Sequence, residues 1–289
     1  MRNQDRLIKI ILVSVVILSI IFYISGLKSA LRLSDGRIIT FRQMISELHG
    51  TRLIFAGENH DRLKVHEAQL AIIKGLYRKD MPLAIGLEMF TADTQGELDR
   101  WVSGQLDLDR FKSLYQQEWN MPWHLYRDIF LYAREQRIPL IALNIPREIS
   151  RKVARQGFDS LTPEERKRLP DGVTCTIDPA YRSFISKAFS LHSGSGRSFD
   201  YFCEAQMLWN KGMGWSLKQF LTRNPGHTVV VLAGSGHAMK QGIPEEISDF
   251  GFTYKVILPD FPNPERKRAT SVDADYLLLF GVKTLAPDF

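Results

Sequence analysis

Two carboxylates and two imidazoles fall at comparable places in this chain. Each follows a short apolar run: Glu58 and His60 after LIFAG (53–57), Glu88 after LAIGL (83–87), and His237 after TVVVLAGSG (228–236). Asn144 follows a fourth run, PLIAL (139–143). Such residues support two chemistries. Together they could ligate a divalent metal such as Zn, Mn or Fe. Without metal, an imidazole beside a carboxylate can act as general base toward water. Glu58 and His60 are two apart, so an extended chain aims them the same way. His66 lies six beyond His60, a spacing that does not share one helical face, and it joins them only if His60 sits in the loop before a helix. The backbone N–H groups of Gly234-Ser235-Gly236 could cradle an anion or developing oxyanion. Each residue also has a structural reading: a strand-end Glu as a helix cap, Asn144 as a turn before Pro146, and Gly234 and Gly236 as loop glycines. Their coincidence at four strand ends favours one shared pocket.

These positions require strands to present them. Leu53–Ala56, Leu83–Leu87, Pro139–Leu143, Thr228–Leu232, Thr253–Leu258 and Tyr276–Phe280 are continuous apolar runs rich in Ile, Val and Leu. That is the pattern of parallel strands buried on both faces. Helical spacing appears between them, at Val65–Tyr77 (with Gln69 on the apolar face) and at Leu125–Glu135. The alternation predicts an α/β fold, a mostly parallel sheet flanked by helices. Ligands of such sheets bind beyond the carboxyl ends of the strands, where the polar residues fall. The stretches 91–125 and 150–222 carry helix-like pieces too long for plain crossovers and are expected to form a smaller inserted helical subdomain.

The chain has 289 residues, 38 Lys+Arg against 32 Asp+Glu, a net charge of +6, 20 Gly, 13 Pro and 2 Cys. That composition excludes a collagen, a low-complexity chain and a disulfide-dense mini-protein. No nucleic-acid module occurs, and the mild basic excess suits anionic headgroups or an acidic ligand. There is no P-loop, dinucleotide fingerprint, G-x-S-x-G elbow or C-x-x-C pair. Leu7–Leu27 is a mostly apolar stretch of 21 residues behind Arg2 and Arg6, long enough for a single membrane span. Residues 1–27 therefore read as a signal anchor, favoured over a cleaved signal peptide, with the body (28–289) on the outer side. No cysteine precedes Cys175, so a lipid-modified N-terminal cysteine is excluded. Outside the cytoplasm Cys175 and Cys203 could pair; the alternative is two separate buried thiols.

GENHD (57–61), GLEMF (86–90), the stretch from Ile138 to Pro170 and AGSGH (233–237) resemble the ChaN-like haem-binding uptake family. This family lies within the superfamily of Tiki proteases, TraB proteins and erythromycin esterases. The likeness runs from about Thr51 to Leu258. It implies a parallel sheet with flanking helices, haem as ligand, and a bacterial envelope protein linked to haem or iron acquisition. A homodimer stands beside haem and the membrane as an expected partner. By the superfamily pattern Glu58, His60, Glu88 and His237 match the pocket positions, as metal ligands for hydrolysis or as residues that activate water. The resemblance assigns no haem ligand. Tyr201, Met207, Trp209, Met213 and Trp215 form an aromatic and Met-rich stretch that could face a porphyrin or be core. Trp209-Asn210 stands where the family pattern suggests Trp-Asp.

Overall fold

The computed structural model describes residues 29–78, 81–170, 172–175, 177–192, 198–260 and 268–280. The expected membrane segment lies outside them. Among the described residues no helix is long and apolar enough to cross a membrane.

Eight strands form one sheet: β1 (Ser29–Arg32), β2 (Arg37–Thr40), β3 (Leu53–Glu58), β4 (Leu83–Thr91), β5 (Leu140–Asn144), β6 (Thr228–Gly234), β7 (Tyr254–Asp260) and β8 (Tyr276–Leu279). Their order is β2-β1-β8-β7-β3-β6-β4-β5. From β8 to β5 every pairing is parallel, whereas β1 runs antiparallel to both β8 and β2. The six apolar runs all become strands, and β3 and β4 are buried along their whole length. The β1–β2 hairpin was not anticipated: its strands have four residues each and carry Arg at two positions, Arg32 and Arg37, so they lack an apolar run.

Eleven α-helices are described: α1 (Phe41–Leu48), α2 (Leu63–Leu76), α3 (Gln95–Val102), α4 (Leu108–Glu118), α5 (Trp123–Glu135), α6 (Arg147–Gln156), α7 (Pro163–Arg166), α8 (Pro179–His192), α9 (Phe199–Arg223), α10 (Ser235–Ala238) and α11 (Ile243–Glu246). Thr40 and Gln43 close a capping box at the start of α1. Gln95 at the start of α3 donates to Leu140 O and accepts from Ala142 N, so a side-chain amide occupies the open edge of β5.

The stretches 91–125 and 150–222 do not form one body beside the sheet; they pack on its opposite faces. On one face Trp101, Phe111, Tyr115, Tyr126 and Phe130 join Ile54, Ile85, Val230 and Ile257 in one apolar cluster. On the other, Ile149, Val153, Leu208, Met213 and Leu217 join Phe55, Val229, Val231 and Val256. Alternate residues of each strand thus feed alternate layers, which is why the strands read as unbroken apolar runs. Cys175 and Cys203 form a disulfide that ties the segment before α8 to the first turns of α9.

Candidate functional site

β3, β6 and β4 lie side by side at the centre of the sheet, and their carboxyl ends bring Glu58, Gly234 and Glu88 together. The register between β4 and β5 shifts between Leu87 and Thr91. An irregularity of this kind re-aims side chains at a strand end. Here the Glu88 carboxylate points across to β6, where its Oε2 accepts from Gly234 N at 2.5 Å. Asn144 braces the same turn: its Nδ2 donates to Glu88 O and its Oδ1 accepts from Ile145 N.

Glu58 is the hub of the β3 side. It is almost fully buried. Its Oε1 accepts from the Tyr126 hydroxyl and from His60 Nδ1, the latter at 2.8 Å. Its Oε2 accepts from Gln69 Nε2 at 2.8 Å, and Gln69 gives its other amide hydrogen to Ala56 O. His66 stands 3.7 Å from the same oxygen and is placed between Gln69 Oε1 and the His60 carbonyl, because His60 sits in the loop before α2. Burial opposes the charge on Glu58, but the hydrogen bonds of His60 and Tyr126 and the neighbouring imidazoles outweigh it and hold the carboxyl below its ordinary value. Burial likewise opposes the charge on His60, and Glu58 and Glu88 overcome it, raising the imidazole to about 9. The ring of Trp119 stands edge-on to His60, with centroids 5.0 Å apart. Glu118, its neighbour, ties the end of α4 to β4 by accepting from the Thr91 amide and hydroxyl.

The β6 side is built differently. His237, in the one-turn helix α10, gives its Nδ1 hydrogen to Asn210 Oδ1 at 2.6 Å, which leaves Nε2 directed toward Glu88 Oε1 at 3.8 Å. Asn210 Nδ2 donates to the Tyr181 hydroxyl, and that hydroxyl donates to Gly236 O. Burial lowers the His237 imidazole below its ordinary value despite Glu88, so it is neutral at pH 7.

The residues named from sequence therefore meet, but not all in the roles expected. Glu58, His60, Glu88 and His237 form one cluster; His66 and Asn144 brace it. The Gly234-Ser235-Gly236 segment is not an open oxyanion cradle. The Gly234 N–H is taken by Glu88, and a Cβ on Gly234 would stand 3.1 Å from His60 Cε1, so glycine is what lets the two sides close together. Gly236 lies under Phe184, whose Cε1 would be 2.6 Å from a Cβ there. The metal reading of Glu58, His60, Glu88 and His237 finds no support in the structure. Among the described residues no group of three or more His, Cys, Asp or Glu is arranged to hold an ion. Here Glu58 accepts three hydrogen bonds, one of them from His60 Nδ1.

Sequence reasoning missed Tyr126, Trp119 and Tyr181. Gln69 left a signal, a lone amide among apolar residues on one helical face, and Asn210 left another as the departure from Trp-Asp.

Against known proteins, residues 44–247 match the family described as haem-binding uptake, Tiki superfamily, ChaN. Among solved structures, ChaN of Campylobacter jejuni, described with cofacial haem binding, superposes with a TM-score of 0.72 at 20% identity, covering 88% of this chain and 97% of that one. An erythromycin esterase in its open conformation gives a TM-score of 0.47 at 13% identity, over 83% of this chain and 78% of that one. Among curated proteins, the chloroplastic Protein RETICULATA-RELATED 5 of Arabidopsis thaliana is 24% identical over 226 residues. That match takes in 72% of this chain and 30% of the length of the plant protein.

Proposed function

The chain belongs to the haem-binding uptake family of the Tiki superfamily, ChaN, and from that premise we propose that it binds haem at a bacterial membrane. Residues 1–27 serve as its anchor, the body lies on the outer side, and the role is haem or iron acquisition. The observation that carries this reading is the family match across residues 44–247. The Cys175–Cys203 disulfide supports the outer side, since such bonds persist in oxidising compartments.

We place the porphyrin against the start of α9. Met207 and Met213 are buried core, but Tyr201 and Trp215 remain 38% and 43% exposed. Tyr201 offers a phenol oxygen, a known type of haem-iron ligand, and its ring rests against Gly157, the residue that ends α6. Arg151 and Arg155 are exposed on α6 and offer cations for propionates. Bound haem would supply the iron and the visible absorbance; the chain supplies the phenol, the aromatic surface and the cations.

Titrating the full chain with haem and following the Soret band tests the proposal. Saturation at a defined ratio is expected, with a weaker or spectrally altered complex in Tyr201→Ala. Only weak, non-saturating spectra would overturn it.

One observation favours a second reading, hydrolysis at the strand-end cluster. Glu58 and Glu88 raise the His60 imidazole to about 9, while burial lowers that of His237, whose Nε2 stands 3.8 Å from Glu88 Oε1. Titratable groups whose environments drive them apart make an acid and a base. In this reading His237 with Glu88 activates water, and His60, oriented by Glu58, gives a proton to the leaving group. Ester or amide turnover by the full chain, abolished in His237→Ala, is its test; no turnover across a panel of esters and peptides would sink it.

A further inference from the structure

The edge of the sheet that carries the cluster is also the edge where the chain enters the fold. β1 runs against the parallel strands, so it begins where they end. Ala30 pairs with Leu278, which puts Ser29 level with Leu279, and Leu279 pairs with Asp260. β7 and β3 pair up to Ile257 and Ala56; three residues further along both strands, Asp260 is level with Asn59. Ser29 thus stands level with the Glu58–His60 turn, three strands away, about 14 Å at the usual strand spacing. β8 ends at the same edge. Only Lys28 separates Ser29 from Leu27, the last residue of the apolar segment. Two residue steps reach at most about 7 Å.

We infer that the carboxyl edge of the sheet faces a lipid bilayer and that Arg62-Leu63-Lys64, in the turn leading from His60 into α2, rests on an anionic lipid surface. This rests on the anchor reading of residues 1–27. Leu63 is 42% exposed although it is apolar and opens a helix whose buried face begins at Val65. Arg62 and Lys64 flank it and are exposed. An apolar tip between two cations suits the boundary between acyl chains and anionic headgroups. Arg62 also lies 3.7 Å from Asp61, an exposed contact of the kind that contributes little by itself. His49, exposed in the turn before β3, stands at the opposite edge of the sheet and faces away from lipid in this arrangement.

The full chain, reconstituted into vesicles of phosphatidylcholine and phosphatidylglycerol, tests this with a fluorophore on Leu63→Cys or on His49→Cys. The native cysteines are paired and do not compete for label. Spin-labelled lipid should quench the probe at 63 several-fold more than the probe at 49. Charge reversal at Arg62 and Lys64 together should shrink that difference. A chain that floats with vesicles but is quenched equally at both positions, or more at 49, overturns the orientation and leaves the anchor standing. A chain that does not float overturns the anchor and the orientation together. The haem titration is read by absorbance on the same sample, so its outcome is independent of both.

Discussion

Two halves of one cluster use the same residue types and reach opposite states. On the β3 side Glu58 is surrounded by donors from three elements, and its partner His60 is cationic, raised to about 9. On the β6 side Glu88 accepts from one backbone amide, and His237 leans on the neutral amide of Asn210 and stays uncharged. His237 is buried and His60 only half-buried, and burial opposes the charge on both. The difference is the group that meets Nδ1: a carboxylate at His60, an amide oxygen at His237. The group at Nδ1 and the depth of the ring together set each histidine's charge here.

The strongest way to break the contrast is Glu58→Gln. It removes a buried charge and turns one of the two accepting oxygens into an NH2 donor, leaving the Tyr126, His60 and Gln69 donors a single neutral oxygen, so a loss of about 3–5 kcal/mol in denaturant unfolding is expected. A loss below about 1 kcal/mol would show that the carboxylate does not organise its side. The β6 side is held from outside, through α8 and its disulfide. Cys175→Ser with Cys203→Ser should cost about 2–4 kcal/mol and loosen the Tyr181–Asn210–His237 chain. Unchanged stability together with an unchanged His237 imidazole signal in NMR would refute that link. Asn210→Ala, which strips His237 Nδ1 of its acceptor, should cost about 1–3 kcal/mol in the same unfolding assay. Asn210→Asp sharpens the contrast by erasing it: with a carboxylate at Nδ1, the His237 imidazole should titrate higher than in the parent chain by NMR, as His60 does. The smallest effect is on stability against pH. His60 is raised when folded, so its contribution is complete below about 6.5 and is lost as pH rises through about 9. His237 is lowered when folded, so its contribution is complete above about 6.5 and is lost as pH falls below that value. Stability should decline in both directions, and Glu58→Gln should flatten only the alkaline limb.

The central sheet was legible because β3 to β8 are buried on both faces and read as apolar runs. The polar residues after those runs were legible for the same reason, since a parallel sheet gathers its carboxyl ends at one edge. What could not be read was who partners whom. Tyr126 reaches Glu58 from a helix 68 positions away, and only the packed face decides that its hydroxyl arrives there. Gly234 looked like an open cradle because sequence cannot show that Glu88 bends into it. The metal reading found no support: four ligand-type side chains do meet, but Glu58 and His60 are engaged with each other and with Tyr126 and Gln69, partners the sequence could not show. The β1–β2 hairpin was hidden because an edge ribbon of this length needs only a single buried residue per strand, Ala30 and Ile39.

The Cys175–Cys203 bridge closes a covalent ring around α8, 28 positions in circumference. A protease that cuts anywhere inside that ring, including the Ser193-Gly194-Ser195-Gly196 stretch, severs the backbone without separating the pieces. Such a nicked chain would migrate as one band on a gel until a thiol is added, and only then divide in two.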